Sequence, residues 1–329
     1  IKLANSLRLR AAIRLSFIDP EKAKAEGELA LKEVLLASNA DNAGVTPPQP
    51  NVWANPLLRS LVVDEARASK TMVDILQGYG AVPDPRLTLI LSKSQAWVQG
   101  KDGAEEWKGV PNGLPVTELS LPEYDNNHNS CIWGYMWGYD WNSAEKGDNI
   151  SKPKTDADFT PLGLMNYSEV CFLKAEAALR GWQGAGDAKT NYENGIRASF
   201  EEMRANAPKD SYSKSNDDKY ISEGNVAWNN ADSFEAKLEK IITQKWIGIY
   251  PNSEEAWAEF RRTGYPKLNP VKQSLEPTIN PKNGEFIKKL RYVDNELSNN
   301  KEYATDPTLN GGQGDGLSVR VWWDTARYK

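Results

Sequence analysis

Apolar positions recur at helical spacing in separate stretches of this chain and lose their periodicity between them. Leu3, Leu7, Ala11 and Leu15 recur every fourth residue, with Arg8, Arg10 and Arg14 turned partly to water, which predicts a first amphipathic helix. Asp19-Pro20 reads as a stop followed by an N-cap and an N1 proline. Ala23, Ala30, Leu31 and Val34 line the helix after it, so 1–37 predicts a helical hairpin whose alanines allow close approach. Helix resumes from Pro56 to Gly78, with Met72, Val73, Ile75 and Leu76 apolar, and a partly extended section runs from Thr88 to Leu91. The clearest helix is Leu162 to Trp182, carrying Leu164, Tyr167, Cys171, Ala175, Ala178 and Trp182 on one side. Asp187 to Met203 follows with Ala188, Tyr192, Ile196 and Phe200 at i, i+4, giving a tetratricopeptide-like pair. Lys209 to Asn230 reads as a polar loop, and Asp232 or Ser233 caps the next helix.

That helix leads into QKWIGIYPNSEEAWAEFRRTGYPKL, Gln244 to Leu268. Pro251 breaks it, and Asn252 or Ser253 caps a successor with an apolar side of Ala256, Trp257 and Phe260. Glu254 and Glu255 suit the positive end of that successor, and Arg261 and Arg262 suit its last turn. Gly264 ends it and Pro266 prevents its resumption. Two Trp, two Tyr and one Phe staple this corner.

Residues 92–161 have no regular period and are rich in Gly, Pro and Asn turn signals. A loop region this long is functional or disordered, and its aromatic content argues against disorder. Within it, CIWGYMWGYDW places Trp133, Tyr135, Trp137, Tyr139 and Trp141 at alternate positions. In an extended strand these rings share one face at a spacing of about 6–7 Å. A row of flat rings suits sugars, whose C–H faces stack while hydroxyls seek polar partners. Asp125, Asn126, Asn127, Asn129, Asp140 and Asn142 flank the row as such partners. The plainer reading, that the row lies on the helical core and anchors the loop, carries equal weight. Trp107, Trp53 and Trp97 are secondary ring candidates, each more simply a packing residue.

Composition narrows the field. The chain has 329 residues, 12 Trp and 13 Tyr against 7 Phe, and a net charge of -5. That balance excludes nucleic acid and an anionic membrane as main partners, and no apolar run reaches the ~18 residues of a membrane span. Two cysteines and one histidine do not make a disulfide framework or a His/Cys zinc site. His128 with Cys131 lacks a third catalytic group. The neighbours Glu105-Glu106 and Glu254-Glu255 do not face each other as a glycosidase pair must. Asn310 to Gly316 is a glycine-rich turn that follows no phosphate-binding pattern. Asp315 there is a candidate Ca2+ ligand, set against plain turn chemistry. The opening IKLANSLRLR has no Met and no signal peptide, so an upstream part is expected to be missing.

Several segments, in order, carry a family resemblance: ANSLRLRAAIRLSFIDPEKA, SKTMVDILQGYGAVPDPRL, GVPNGLP, MNYSEVCFLKAEAALRGW, QKWIGIYPNSEEAWAEFRRTGYPKL and the closing VWWDTARYK. Together they resemble SusD/RagB-like outer-membrane nutrient-binding lipoproteins. IKKLRYVDNELSNNKEY is similar to another family segment, with Val293-Asp294 in place of the usual proline turn. The resemblance implies a mostly α fold of tetratricopeptide-like helix pairs, with long irregular loops and minor β. It implies one SusD-like domain over 1–329, with helical scaffold at about 1–37, 57–80, 162–206 and 232–263. The loop-rich ligand side is then about 81–161 and 265–329. It further implies non-enzymatic binding of an oligosaccharide or polysaccharide and delivery to a SusC-like TonB-dependent transporter. It places the protein at the extracellular face of the outer membrane, through a lipid anchor that this chain does not carry. No cofactor is implied. The alternatives are a peptide-binding member of the family and a helical glycoside hydrolase.

Overall fold

A computed structural model describes residues 1–46, 67–132, 161–205 and 213–327. In chain order, α1 (Lys2–Arg14) and α2 (Pro20–Leu31) form a hairpin. Asp19 caps α2 by accepting the Lys22 N–H, with Pro20 in the first turn. Strand β1 (Ala43–Val45) pairs antiparallel with β2 (Leu162–Met165), and α3 (Lys70–Gly78) lies between them in sequence. Then come α4 (Tyr167–Leu179), α5 (Ala188–Ala205), α6 (Asp217–Ser222), α7 (Phe234–Gly248) and α8 (Ser253–Thr263). Beyond α8 the described chain is irregular apart from short helical turns. The fold is thus mostly α, with helix pairs, long loops and minor β.

Helix α4 is central because α1, α5 and α7 all pack on it. Its Ser168 to Leu173 and Ala175 to Ala177 are buried, so it has no solvent face to read as amphipathic. Phe172, Tyr192, Ile196 and Phe200 form the α4–α5 seam with Leu238, Ile241 and Ile242 of α7. A second cluster joins Leu9 and Ile13 of α1 to Val170 and Leu173 of α4, and a third joins α3 to Leu87, Leu89, Ile90 and Leu91.

The structure departs from the sequence reading at several elements. Residues 162–165 are strand rather than the start of a helix. Asn166 accepts the Glu169 N–H as N-cap, so the helix cannot begin earlier. Helix α3 begins at Lys70, because Ser69 caps it and residues 67–69 are engaged in bridges to Cys131 and Val110; residues 56–66 lie outside the described chain. Residues 87–90 form one helical turn instead of an extended section. The polar stretch after 213 contains α6, which buries Tyr220 and Ile221. The buried positions of α1 are Ser6, Leu9, Ala12 and Ile13, whereas Leu7 is 40% exposed. The apolar stripe is rotated because α1 packs on both α2 and α4.

Charges near the α8 corner are not merely helix-end decoration. Arg262, fully buried, donates to Glu176 and Glu259 at 2.6–2.8 Å. Lys245 sits 2.9 Å from Glu255 and 3.4 Å from Glu169. Arg10 grips Glu169 and Arg14 grips Glu255. This network ties α1, α4, α7 and α8 together. Desolvation pushes against the charged form of Glu259, but Arg262, Lys245 and Arg14 overcome it and hold the carboxyl well below the usual range.

Candidate functional site

The loop layer on α3 is laced by backbone bonds between segments far apart in sequence. The Ala68 N–H donates to Ser130 O at 2.7 Å, Val110 N–H to Ala68 O at 2.8 Å and Lys70 N–H to Val110 O at 2.8 Å. Ser94 N–H reaches Glu106 O at 2.9 Å, and Ser92 N–H reaches Cys131 O at 2.9 Å. Glycines make this possible. A Cβ on Gly109 would lie 2.5 Å from Lys70 Cα, and one on Gly113, at φ +79°, would lie 2.4 Å from Gln273 O. GVPNGLP therefore holds the loop onto the start of α3 and onto the 271–273 segment.

Trp133, Tyr135, Trp137, Tyr139 and Trp141 lie outside the described residues, as does Trp53. The point from which the row leaves is described. Cys131 is buried, and its backbone N–H donates to Ser92 Oγ at 3.3 Å. Asp125 and Asn126 belong to the turn just before it. Asp125 Oδ1 accepts the His128 N–H at 2.8 Å and lies 2.8 Å from His128 Nδ1. Burial works to raise the Asp125 carboxyl, but hydrogen bonds from the His128 N–H and ring and the Asn127 N–H hold it below the usual range. Asn129 Nδ2 donates to Glu123 O and Asp125 O, which fixes the turn. The side-chain oxygens of Asn126 and Asn129 are buried without a hydrogen-bond partner.

Trp107 is half-buried against the α3 cluster, so its ring is shared between core and loop. Lys93 Nζ stands 4.7 Å from the Trp97 ring centroid and 3.1 Å from Glu106 Oε1. One face of Trp97 is thereby covered. Sequence reasoning missed Tyr124, whose carbonyl accepts from Arg67 and whose ring lies 5.9 Å from Lys272 Nζ. Lys272 is remote in sequence and left no local signal. It also missed the Asp125–His128 partnership, although Asp-x-x-His spacing is a turn signature.

Other chemistry is taken up structurally. His128 faces Asp125, and Cys131 is 1% exposed with its Sγ 4.0 Å from Asn129 O. Cys131 and Cys171 are both buried, and no disulfide joins them. Glu105 lies 3.5 Å from Lys108, and Glu255 is held by Arg14 and Lys245. Asp315 receives the Lys289 ammonium on one oxygen and the Tyr292 N–H on the other. Among the described residues no three His, Cys, Asp or Glu side chains converge as metal ligands, and no helix is long and apolar enough to cross a membrane.

A family model described as SusD-like, SusD and RagB outer membrane lipoprotein, matches residues 1–324. The chain belongs to this family. A chitin-binding SusD homolog from Flavobacterium johnsoniae is 31% identical with a TM-score of 0.73, over 98% of this chain and 63% of that one. A SusD homolog from Bacteroides vulgatus is 29% identical with a TM-score of 0.76, over 100% of this chain and 63% of that one. Another chitin-binding protein is 30% identical with a TM-score of 0.74, over 98% of this chain and 64% of that one. The chain therefore spans less than two thirds of the length of these SusD-like relatives. No curated protein matches it.

Proposed function

We propose that this SusD-like chain captures a glycan at the outer face of the outer membrane and passes it, unhydrolysed, to a TonB-dependent SusC-like transporter. The observation that carries the reading is the alternating row Trp133 to Trp141, which follows in sequence directly after Cys131 and Ile132 of the hydrogen-bonded loop layer. Rings stack on sugar C–H faces, and the neighbouring Asp125 and Asn126 turn is set to bond hydroxyls. The ionised state of Asp125 makes it an acceptor, not an acid. Chitin oligosaccharides are the first ligands to try, because two relatives at 30–31% identity bind chitin.

Calorimetry with chitin oligosaccharides and a panel of other glycans tests this on Trp133→Ala, Trp137→Ala and Trp141→Ala. Each is expected to lose about 0.5–1.5 kcal/mol, roughly 2- to 12-fold in Kd. Unchanged affinity in all three sinks the aromatic platform. Shortened glycan after prolonged incubation sinks the non-catalytic reading.

A further inference from the structure

Four Asn-Gly pairs occur in the chain, at 112–113, 194–195, 283–284 and 310–311. A glycine nitrogen has no Cβ beside it to shield it, so it can attack the side-chain carbonyl carbon of the asparagine before it. Attack needs an N–H and a side-chain amide that are both able to turn toward each other. Asn194 and Gly195 lie inside α5, where the helix ladder fixes the main chain. The Gly284 N–H is spent on Pro281 O at 2.9 Å. The Gly311 N–H is spent on Thr308 O at 3.0 Å, and the Asn310 amide on Gly314 O at 2.6 Å. Asn112 and Gly113 differ on both counts. They sit exposed in the turn of GVPNGLP. Neither the Gly113 N–H nor the Asn112 side-chain amide has a hydrogen-bond partner among the described residues. The turn is held through its main chain: the Asn112 carbonyl accepts the Lys272 N–H at 2.7 Å, and Gly113 packs against Gln273 O with no room for a Cβ.

We propose that Asn112 is a site of self-modification. The Gly113 nitrogen bonds to Asn112 Cγ and the Cγ–Nδ2 bond breaks. The side-chain nitrogen leaves as ammonia, taking the proton that the Gly113 N–H gives up. Water then opens the cyclic imide at either carbonyl. One opening leaves aspartate at 112. The other leaves isoaspartate, in which the main chain runs through the former side chain and gains a methylene. Water is the only co-reactant. In isoaspartate the carbonyl that accepted the Lys272 N–H becomes a free carboxylate outside the main chain, so the loop loosens from the 271–273 segment. This inference stands apart from the glycan reading, because it uses no ring of the aromatic row.

The folded protein is aged at alkaline pH in heavy-oxygen water and digested, and the four asparagine peptides are followed by mass spectrometry. Breaking one hydrogen bond before attack slows it roughly fivefold, so Asn112 should convert about twentyfold faster than Asn310, where two must break. Heavy oxygen should enter at the converted residue. In urea all four pairs are released and the lead of Asn112 should vanish. Asn112→Gln removes the reaction and keeps the carbonyl. Aged parent protein should then show faster amide exchange at Lys272, and aged Asn112→Gln the exchange of fresh protein. Equal conversion of Asn112 and Asn310 in the folded protein, a lead that persists in urea, or conversion without heavy-oxygen uptake overturns the site. Unchanged exchange at Lys272 in fully converted protein overturns the loosening.

Discussion

A methyl group at position 109 has nowhere to go. Backbone atoms of Ser69 and Lys70 close the space, and backbone cannot swing aside as a flexible side chain does. Gly109→Ala should therefore separate the 105–110 segment from the start of α3 and cost about 1–3 kcal/mol of stability. Thermal unfolding measures the cost, and faster amide exchange at Val110 and Lys70 localises it. Protection unchanged from the parent protein would mean the loop layer is not held by this contact. The same change should weaken glycan binding, since the row at 133–141 leaves the layer next to the strand-like bonds that Gly109 permits. Asp125 and His128 make a second point at this scale. Their pairing fixes the turn, so His128→Ala is a test of positioning and not of catalysis.

At the scale of elements, the ionic network decides how the helices meet. Removing one member of a buried pair leaves an uncompensated charge, so Arg262→Ala should cost about 3–5 kcal/mol, read from urea unfolding. Glu176 and Glu259 have folded pKa values held down, chiefly by Arg262 against burial. Their contribution is present above the unfolded value of about 4.3 and is lost as pH falls below it. Glu202 works in the opposite sense. Its folded pKa, raised by burial to about 7, gives stability that is full below about pH 4.3 and lost as pH rises through 7. Glu202→Gln should flatten the decline in stability between about pH 5 and 7 and leave the acid limb in place. A melting-temperature series across pH checks both limbs, and an unaltered neutral slope in the variant would contradict this role.

Elements of this kind also mark where sequence is legible. Three caps were plain: Asp19, Ser233 and Asn252 each accept a first-turn N–H that local chemistry prescribes, whereas Ser69 and Asn166 do the same inside stretches that read as continuous helix. The α5 stripe of Tyr192, Ile196 and Phe200 was equally plain, because one face of that helix meets solvent. Helix α4 is buried nearly all round, so periodicity could not say which side is inside, and the short β2 strand merged into its apolar run. Arg262 looked like a helix-end cation, since its carboxylate Glu176 is on another helix 86 residues earlier in the chain. In the candidate site, Asp125 and Asn126 were found from composition, while Tyr124 and Lys272 meet only through tertiary packing.

For the whole molecule, the proposed function assigns stability to the helices and ligand capture to the loop layer. Residues 321–327 return to the scaffold, where Arg261 lies 3.8 Å from the Trp257 ring centroid and 4.8 Å from that of Trp323. Arg14 approaches the same Trp323 from α1 at 5.5 Å. The stack thus fastens the Trp323 segment to α8 and α1, and none of its members belongs to the 67–132 loop layer. Trp257→Ala removes one wall of this stack, a partly buried cation–π contact of about 1–2 kcal/mol together with the ring's packing. Its melting temperature should fall by several degrees, while the folded protein binds glycan with the parent's affinity. Calorimetry below the lowered transition separates the two effects. Trp137→Ala should give the reverse, normal melting and weakened binding. Lost affinity in a stably folded Trp257→Ala protein would mean that the scaffold end takes part in ligand capture and that the two layers act as one.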